Sequence, residues 1–147
     1  MSGTKVAVPA EPGREREIVG YFTLLQHEYR DRELPNKTAR GLKVMGLKRV
    51  PVILLAQLGV RSDLQHSGLG SVLMRHALEL CLVLSRELGS VAVITDPMSD
   101  RLVEYYCRKF GFADIGLAHP VTGRPRLFLA TKTIERAYIE AKQEKPA

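Results

Sequence analysis

The chain contains no tryptophan and only two cysteines among its 147 residues. Cys81 and Cys107 both fall in apolar, helical-looking stretches and lack the spacing of a disulfide framework or a zinc site, which predicts a reduced, cytoplasmic setting. The four histidines, at 27, 66, 76 and 119, are scattered, so neither a His-ligated metal nor a compact Ser-His-Asp arrangement is expected. No apolar run approaches the ~18 to 20 residues of a membrane span, and no membrane partner is expected. After Met1 to Lys5 comes a short apolar patch and then Glu11, Arg14, Glu15 and Arg16, which is not the pattern of a signal peptide. Internal repeats are absent too, and the length suits one domain over 1–147.

What the chain does have is enough apolar material for a core, 45% hydrophobic residues against 26% charged. Its net charge of +6 is uneven. Arg30, Arg32, Lys37, Arg40, Lys43, Lys48 and Arg49 face only Asp31 and Glu33 in the same stretch, a local excess of five. Such a field attracts anions such as phosphates, although charge alone also describes a solvated loop.

Thr4 to Val8 and Glu17 to Leu25 read as strands of a hairpin, the first closed by Pro9 and a Glu-Pro-Gly turn. Residues 26–49 are polar and basic, interrupted by Pro35, Gly41 and Gly46, and read as a long insertion with one helical turn at most. Val50 to Val60 is continuously apolar, as a central strand covered on both faces would be. A helix from Gly68 carries Val72, Leu73, Ala77, Leu80, Cys81 and Leu84 at three- and four-residue spacing and ends at Gly89. Ser90 to Thr95 is a further buried strand, making a right-handed parallel crossover with the strand before the helix. Arg101 to Phe110, capped by Ser99 or Asp100, is a second helix; Phe112 to Ile115 and Arg126 to Ala130 form a terminal antiparallel pair; a charged helix or frayed end follows Thr133. The expected fold class is α/β with a mixed sheet.

The stretch richest in chemical meaning is Gln65-His66-Ser67-Gly68-Leu69-Gly70, between a buried strand and a long helix. Glycine lets a ligand approach the backbone, and the helix start offers unpaired N–H groups and the positive end of the dipole. Such a site holds a pyrophosphate without a cationic side chain. It lacks the Lys-[Ser/Thr] of a P-loop, and Leu73 breaks a dinucleotide GxGxxG. A tight turn packing helix on strand would use the same glycines.

Leu58-Gly59-Val60, the Gln65-x-x-Gly68-x-Gly70 loop, and a later helix ending Tyr-Cys-Arg-Lys-Phe-Gly-Phe112 together resemble the GNAT superfamily of N-acetyltransferases over roughly residues 18–130. The resemblance implies a mostly antiparallel mixed sheet splayed around acetyl-CoA, with flanking helices. It implies acetyl-CoA as co-substrate without a metal, a pyrophosphate cradle at Gln65, His66, Ser67, Gly68, Leu69, Gly70 and Ser71, and pantetheine contacts from Leu58, Gly59 and Val60. Gly20 to Leu24, the insertion and the 50–60 strand look like the subgroup of bacterial toxins that acetylate the amino group of aminoacyl-tRNA. That narrower likeness brings in tRNA, an antitoxin protein and a second copy of the chain as partners.

Two departures from the family pattern stand out. Only Thr4 to Val8 precedes the Gly20 strand, so the usual first strand and two first helices, which wall the acceptor site, are missing or vestigial. The last helix is also out of register with Phe-Tyr-x-x-x-Gly-Phe: counting back from Gly111 puts Cys107 at the tyrosine, whereas counting forward favours Tyr106 with one inserted residue. The family's tyrosine protonates the departing thiolate, a task a phenol suits because it stays protonated at neutral pH. A cysteine is a weaker donor. Tyr106 and Cys107 both also fit an apolar stripe with Leu102, Val103 and Phe110, and Tyr105 stands behind both. Where some members place a Glu on the central strand, this chain has Gln57, so no general base is evident. The amine acceptor is left open among aminoacyl-tRNA, a small amine and a protein amine, as is a CoA-binding module without turnover. Where the basic segment lies relative to the cofactor bears on that choice.

Overall fold

The apolar run at 50–60 becomes β3 (Arg49–Val60), the third strand of a six-stranded sheet. A computed structural model describes residues 2–30 and 32–143. The strands are β1 (Ser2–Ala7), β2 (Gly20–Arg30), β3, β4 (Ala92–Thr95), β5 (Ala113–Ala118) and β6 (Pro125–Ala130), in the order β1-β2-β3-β4-β6-β5. Every neighbouring pair is antiparallel except β3 with β4. The parallel pair is joined by α2 (Leu69–Leu88), whose Gly89 takes the left-handed conformation of a C-terminal cap. α3 (Asp100–Phe110) follows β4, with Ser99 Oγ accepting from the Leu102 amide at 3.2 Å. α4 (Thr131–Gln143) closes the described chain.

Alternation along the strands divides the apolar residues between two faces. Phe22, Leu24, Ile53, Leu55, Val93, Leu127 and Leu129 pack under α2, α3 and α4, against Leu73, Met74, Ala77, Cys81, Tyr106 and Ile134. Tyr29, Val50, Val52, Ala92, Ile94 and Ile115 point the other way. What covers them corrects the reading of 26–49 as a long polar insertion, although the helical turn expected within it is present. β2 continues to Arg30, and α1 (Asn36–Gly41) with its flanks lays Leu34, Ala39 and Val44 on that face. Thr38 Oγ1 fastens it by donating to the buried Ile115 carbonyl at 2.7 Å. Burying Leu34 and Val44 contributes about 1.5–3 kcal/mol each and Ala39 less, which outweighs the polar character that suggested a loop. The seven basic side chains of the segment all remain exposed, and none pairs with an acid among the described residues.

β3 is central as expected, but its burial holds only as far as Leu55; from Ala56 to Val60 it is half-buried or exposed. Thr23 pairs with Gln57 and Leu24 with Leu55, so Ala56 is an extra residue, a bulge that bends the strand where it leaves the core. Among the described residues no helix is long and apolar enough to cross a membrane.

Candidate active site

β3 and β4 stay together only over Ile53–Val93, Leu54–Ile94 and Leu55–Thr95. β4 then stops, and Asp96 and Pro97 lead off towards α3, while β3 runs on to Val60 paired with β2 alone. An open strand edge results. Arg61 donates its amide to Val19 at 2.8 Å on the β2 side. Alternation therefore turns the backbone groups of Leu58 and Val60 towards the vacant edge and those of Gly59 towards β2. The Val60 carbonyl accepts from Gln65 Nε2 at 3.4 Å, in keeping with that direction. An extended ligand laid along this edge would find main-chain donors and acceptors where β4 no longer supplies them.

The loop after β3 is fixed from both ends. Arg61 pairs with Asp63 at 2.6 Å and Glu17 at 3.4 Å, and a single 3-10 turn follows at Ser62–Leu64. Ser67 Oγ donates to the Leu64 carbonyl and accepts from the Leu69 amide at 3.4 Å. Gly68, at φ +92°, is the residue from which α2 starts; this conformation is strained for any residue with a Cβ. The N-cap residue Gly68 makes no side-chain hydrogen bond and the first turn holds no acid, so beyond the Leu69 amide taken by Ser67 the amides of Gly70 and Ser71 are free for an anion. A Cβ on Gly70 would meet only Val60 Cγ2, at 3.6 Å. The protein itself therefore has little need of glycine there, as befits a loop shaped for a ligand. Residues 58–60 and 65–71, separate in sequence, are thus brought to one wall of the opening.

α3 forms the other wall. Tyr106 is 7% exposed and packs edge-on against Phe110 and tilted against Phe112, within the cluster that also receives Leu58, Val60 and Leu69. Its hydroxyl is not among the sealed, unpartnered oxygens, of which Ser90 Oγ is the one case among the described residues. Cys107 is half-buried at the edge of the same cluster, near enough to Asp114 on β5 to feel its charge. Burial pushes up both the Tyr106 phenol and the Cys107 thiol, helped by Tyr105 and Asp114 respectively, so both hold their protons at neutral pH. Gln57 is exposed, opposite Thr23 at the bulge.

Two side-chain ties around the opening have no signal in the sequence. Arg101, on the first turn of α3, places Nη2 3.4 Å from His66 Nδ1. Arg126 Nε and Nη2 hold both oxygens of Asp96, and Nη1 donates to Tyr29 Oη at 3.0 Å. Each joins residues 30 or more apart, which periodicity cannot pair. No group of three or more His, Cys, Asp or Glu able to hold a metal occurs among the described residues.

The model of the acetyltransferase (GNAT) family matches residues 8–112. A tRNA-acetylating toxin of Mycobacterium tuberculosis (strain ATCC 25618 / H37Rv) is 29% identical over 106 residues, 72% of this chain and 60% of that protein. The chain thus spans less than two thirds of that relative's length. Among solved structures, AtaT complexed with acetyl-methionyl-tRNAfMet is 24% identical at a TM-score of 0.73, over 92% of this chain and 74% of that one. A mutant AtaT toxin bound to the C-terminus of the antitoxin AtaR and acetyl-CoA is 22% identical at a TM-score of 0.61, over 84% and 66%. At these identities the structural likeness establishes the fold, a mixed α/β sheet with flanking helices.

Proposed function

Because the chain belongs to the acetyltransferase (GNAT) family, we propose that it transfers an acetyl group from acetyl-CoA to a primary amine, the α-amino group of aminoacyl-tRNA. The observation that carries this reading is the open edge of β3 at Leu58 and Val60, which runs directly into the uncapped start of α2. A pantetheine arm fits along the first as an added strand, and a diphosphate fits at the second. No further residue type is needed to explain why the two adjoin.

The neutral amine attacks the thioester carbonyl, the carbon–sulfur bond breaks, and the sulfur takes a proton from Tyr106. The proton shed by the amine passes to water, since Gln57 cannot accept it, and Tyr106 recovers its own from solvent. Supporting Tyr106 over Cys107 are its deeper burial against Phe110 and Phe112 and its unsealed hydroxyl. Cys107 meets the same cluster only from its edge, half-buried and beside the Asp114 charge.

The tRNA acceptor is supported by the relatives' activity and by the basic segment. That segment lies at the Arg49 end of β3, eleven residues from Val60, or roughly 36 Å along the strand. A polyanion there would not compete with the cofactor's phosphates. On the same reading the chain acts in the cytoplasm and is held in check by a protein antitoxin. The test is to incubate the protein with labelled acetyl-CoA, a charged tRNA pool, a polyamine and a lysine-containing peptide. Label on the aminoacyl ends of the tRNA is the expected result. Label only on the polyamine or peptide would sink the tRNA acceptor and leave an acetyltransferase of another amine.

A further inference from the structure

The Gln65 to Ser71 loop contains no lysine or arginine. A coenzyme A diphosphate seated there would meet amides and a helix dipole but no full positive charge from the loop itself. Charge must come from neighbouring elements. Arg75, one turn into α2, already points back to the site, with Nη2 donating to Ser71 Oγ at 3.3 Å. The more telling group is Arg101, which belongs to the opposite wall.

Arg101 is exposed, and among the described residues no acid pairs with it; its neighbour Asp100 is engaged by Arg124 at 3.3 Å. Its guanidinium instead crosses the opening to His66 Nδ1 at 3.4 Å. That contact is long for a hydrogen bond and lies in solvent, so it adds little stability. His66 itself lies in the left-handed region, φ +67°. Positive φ in a residue with a Cβ tends to sit where a ligand is gripped.

We infer that Arg101 is a cofactor-binding residue: it swings from His66 onto the diphosphate of acetyl-CoA and clamps it from the α3 wall against the α2 amides. A guanidinium matches phosphate oxygens with two parallel N–H donors, a geometry that one imidazole nitrogen cannot use. The inference rests on the acetyl-CoA reading above and adds to it a contact from the second wall of the cleft.

Acetyl-pantetheine carries the same thioester without the diphosphate, which separates the two. Arg101→Gln should raise the Kd for acetyl-CoA about 10-fold, as expected when one charge-assisted hydrogen bond is removed. It should flatten the dependence of that Kd on salt and leave kcat/KM with acetyl-pantetheine and the melting temperature unchanged. Arg101→Lys should recover only part of the affinity. Equal loss with both thioesters would overturn the clamp, because Arg101 would then be serving the pantetheine arm or the fold. Unchanged acetyl-CoA affinity would overturn it too. Wild-type protein that binds neither thioester would instead refute the acetyl-CoA reading, and the clamp with it.

Discussion

Arg126 grips Asp96 with two hydrogen bonds, Nε to Oδ1 at 2.8 Å and Nη2 to Oδ2 at 2.7 Å, at the point where β4 ends and the cleft opens. The two side chains are 22% and 24% exposed, and the third arm of the guanidinium reaches Tyr29. The arrangement ties the end of β4 to the start of β6 and to β2. Removing one member strands the other, poorly hydrated charge. Arg126→Ala is expected to cost about 2 kcal/mol, between the values for exposed and fully buried pairs. Asp96→Ala should cost a similar amount, and the double variant clearly less than both together. Urea denaturation of the three variants measures this; additive losses would mean that the pair is not coupled.

Tyr106→Phe removes one oxygen from a packed aromatic cluster. It should lower kcat by a factor of about 100 or more, in the range for a lost general acid, with acetyl-CoA affinity nearly kept. Cys107→Ala should leave kcat within a few-fold of wild type. The reverse pattern would move the proton donor to Cys107, and full activity in both would assign the proton to solvent.

Arg40, Lys43, Lys48 and Arg49 are exposed on a segment whose inner face is held by Leu34, Ala39 and Val44. Replacing the four with Ser should therefore leave the fold intact. The slope of log affinity for tRNA against log salt should then flatten by about 0.7–0.9 for each phosphate that is no longer neutralised. Affinity for acetyl-CoA should not change. A slope that stays the same would place the tRNA elsewhere on the surface.

Burial pushes the Cys81 thiol up to about 12. Its folded value lies above the unfolded one, so its contribution to stability is complete below the unfolded value and is lost as the pH rises towards the folded one. Between about pH 9 and 12, wild type should lose stability more steeply than Cys81→Ala, by up to about 4 kcal/mol. The same burial should keep the thiol unreactive towards a disulfide reagent at pH 8 until the protein is unfolded. Equal alkaline slopes in the two proteins would contradict this.

The sheet is legible in the sequence because its signals are local. The β-branched stretch at 90–95, the period of α2 and the glycine at 89 each act within a few residues, and the boundaries of β4 and α2 differ from the expected ones by two residues or fewer, whereas β2 runs five residues past its expected end. The basic segment misleads because Leu34, Ala39 and Val44 are too far apart to show a period, and what buries them is the far face of the sheet. Within the site, the loop can be read from its glycines. The Arg101–His66 and Arg126–Asp96 ties cannot, since the sheet order that brings β4 beside β6 is decided by packing over the whole domain.

Central to the account is the binding of acetyl-CoA in the cleft between β3 and β4, through the amides at the start of α2. Calorimetric titration of wild type beside Gly68→Asp tests this most directly, because a Cβ at Gly68 meets no protein atom within 4 Å while a carboxylate there opposes the phosphates. Wild type should bind one acetyl-CoA per chain and gain about 2.7 kcal/mol of stability at a hundred times Kd. Gly68→Asp should stay folded, at a cost of about 1 kcal/mol for its left-handed backbone, and show no binding heat. Wild type that gives no heat and no shift in melting temperature with millimolar acetyl-CoA would contradict the account.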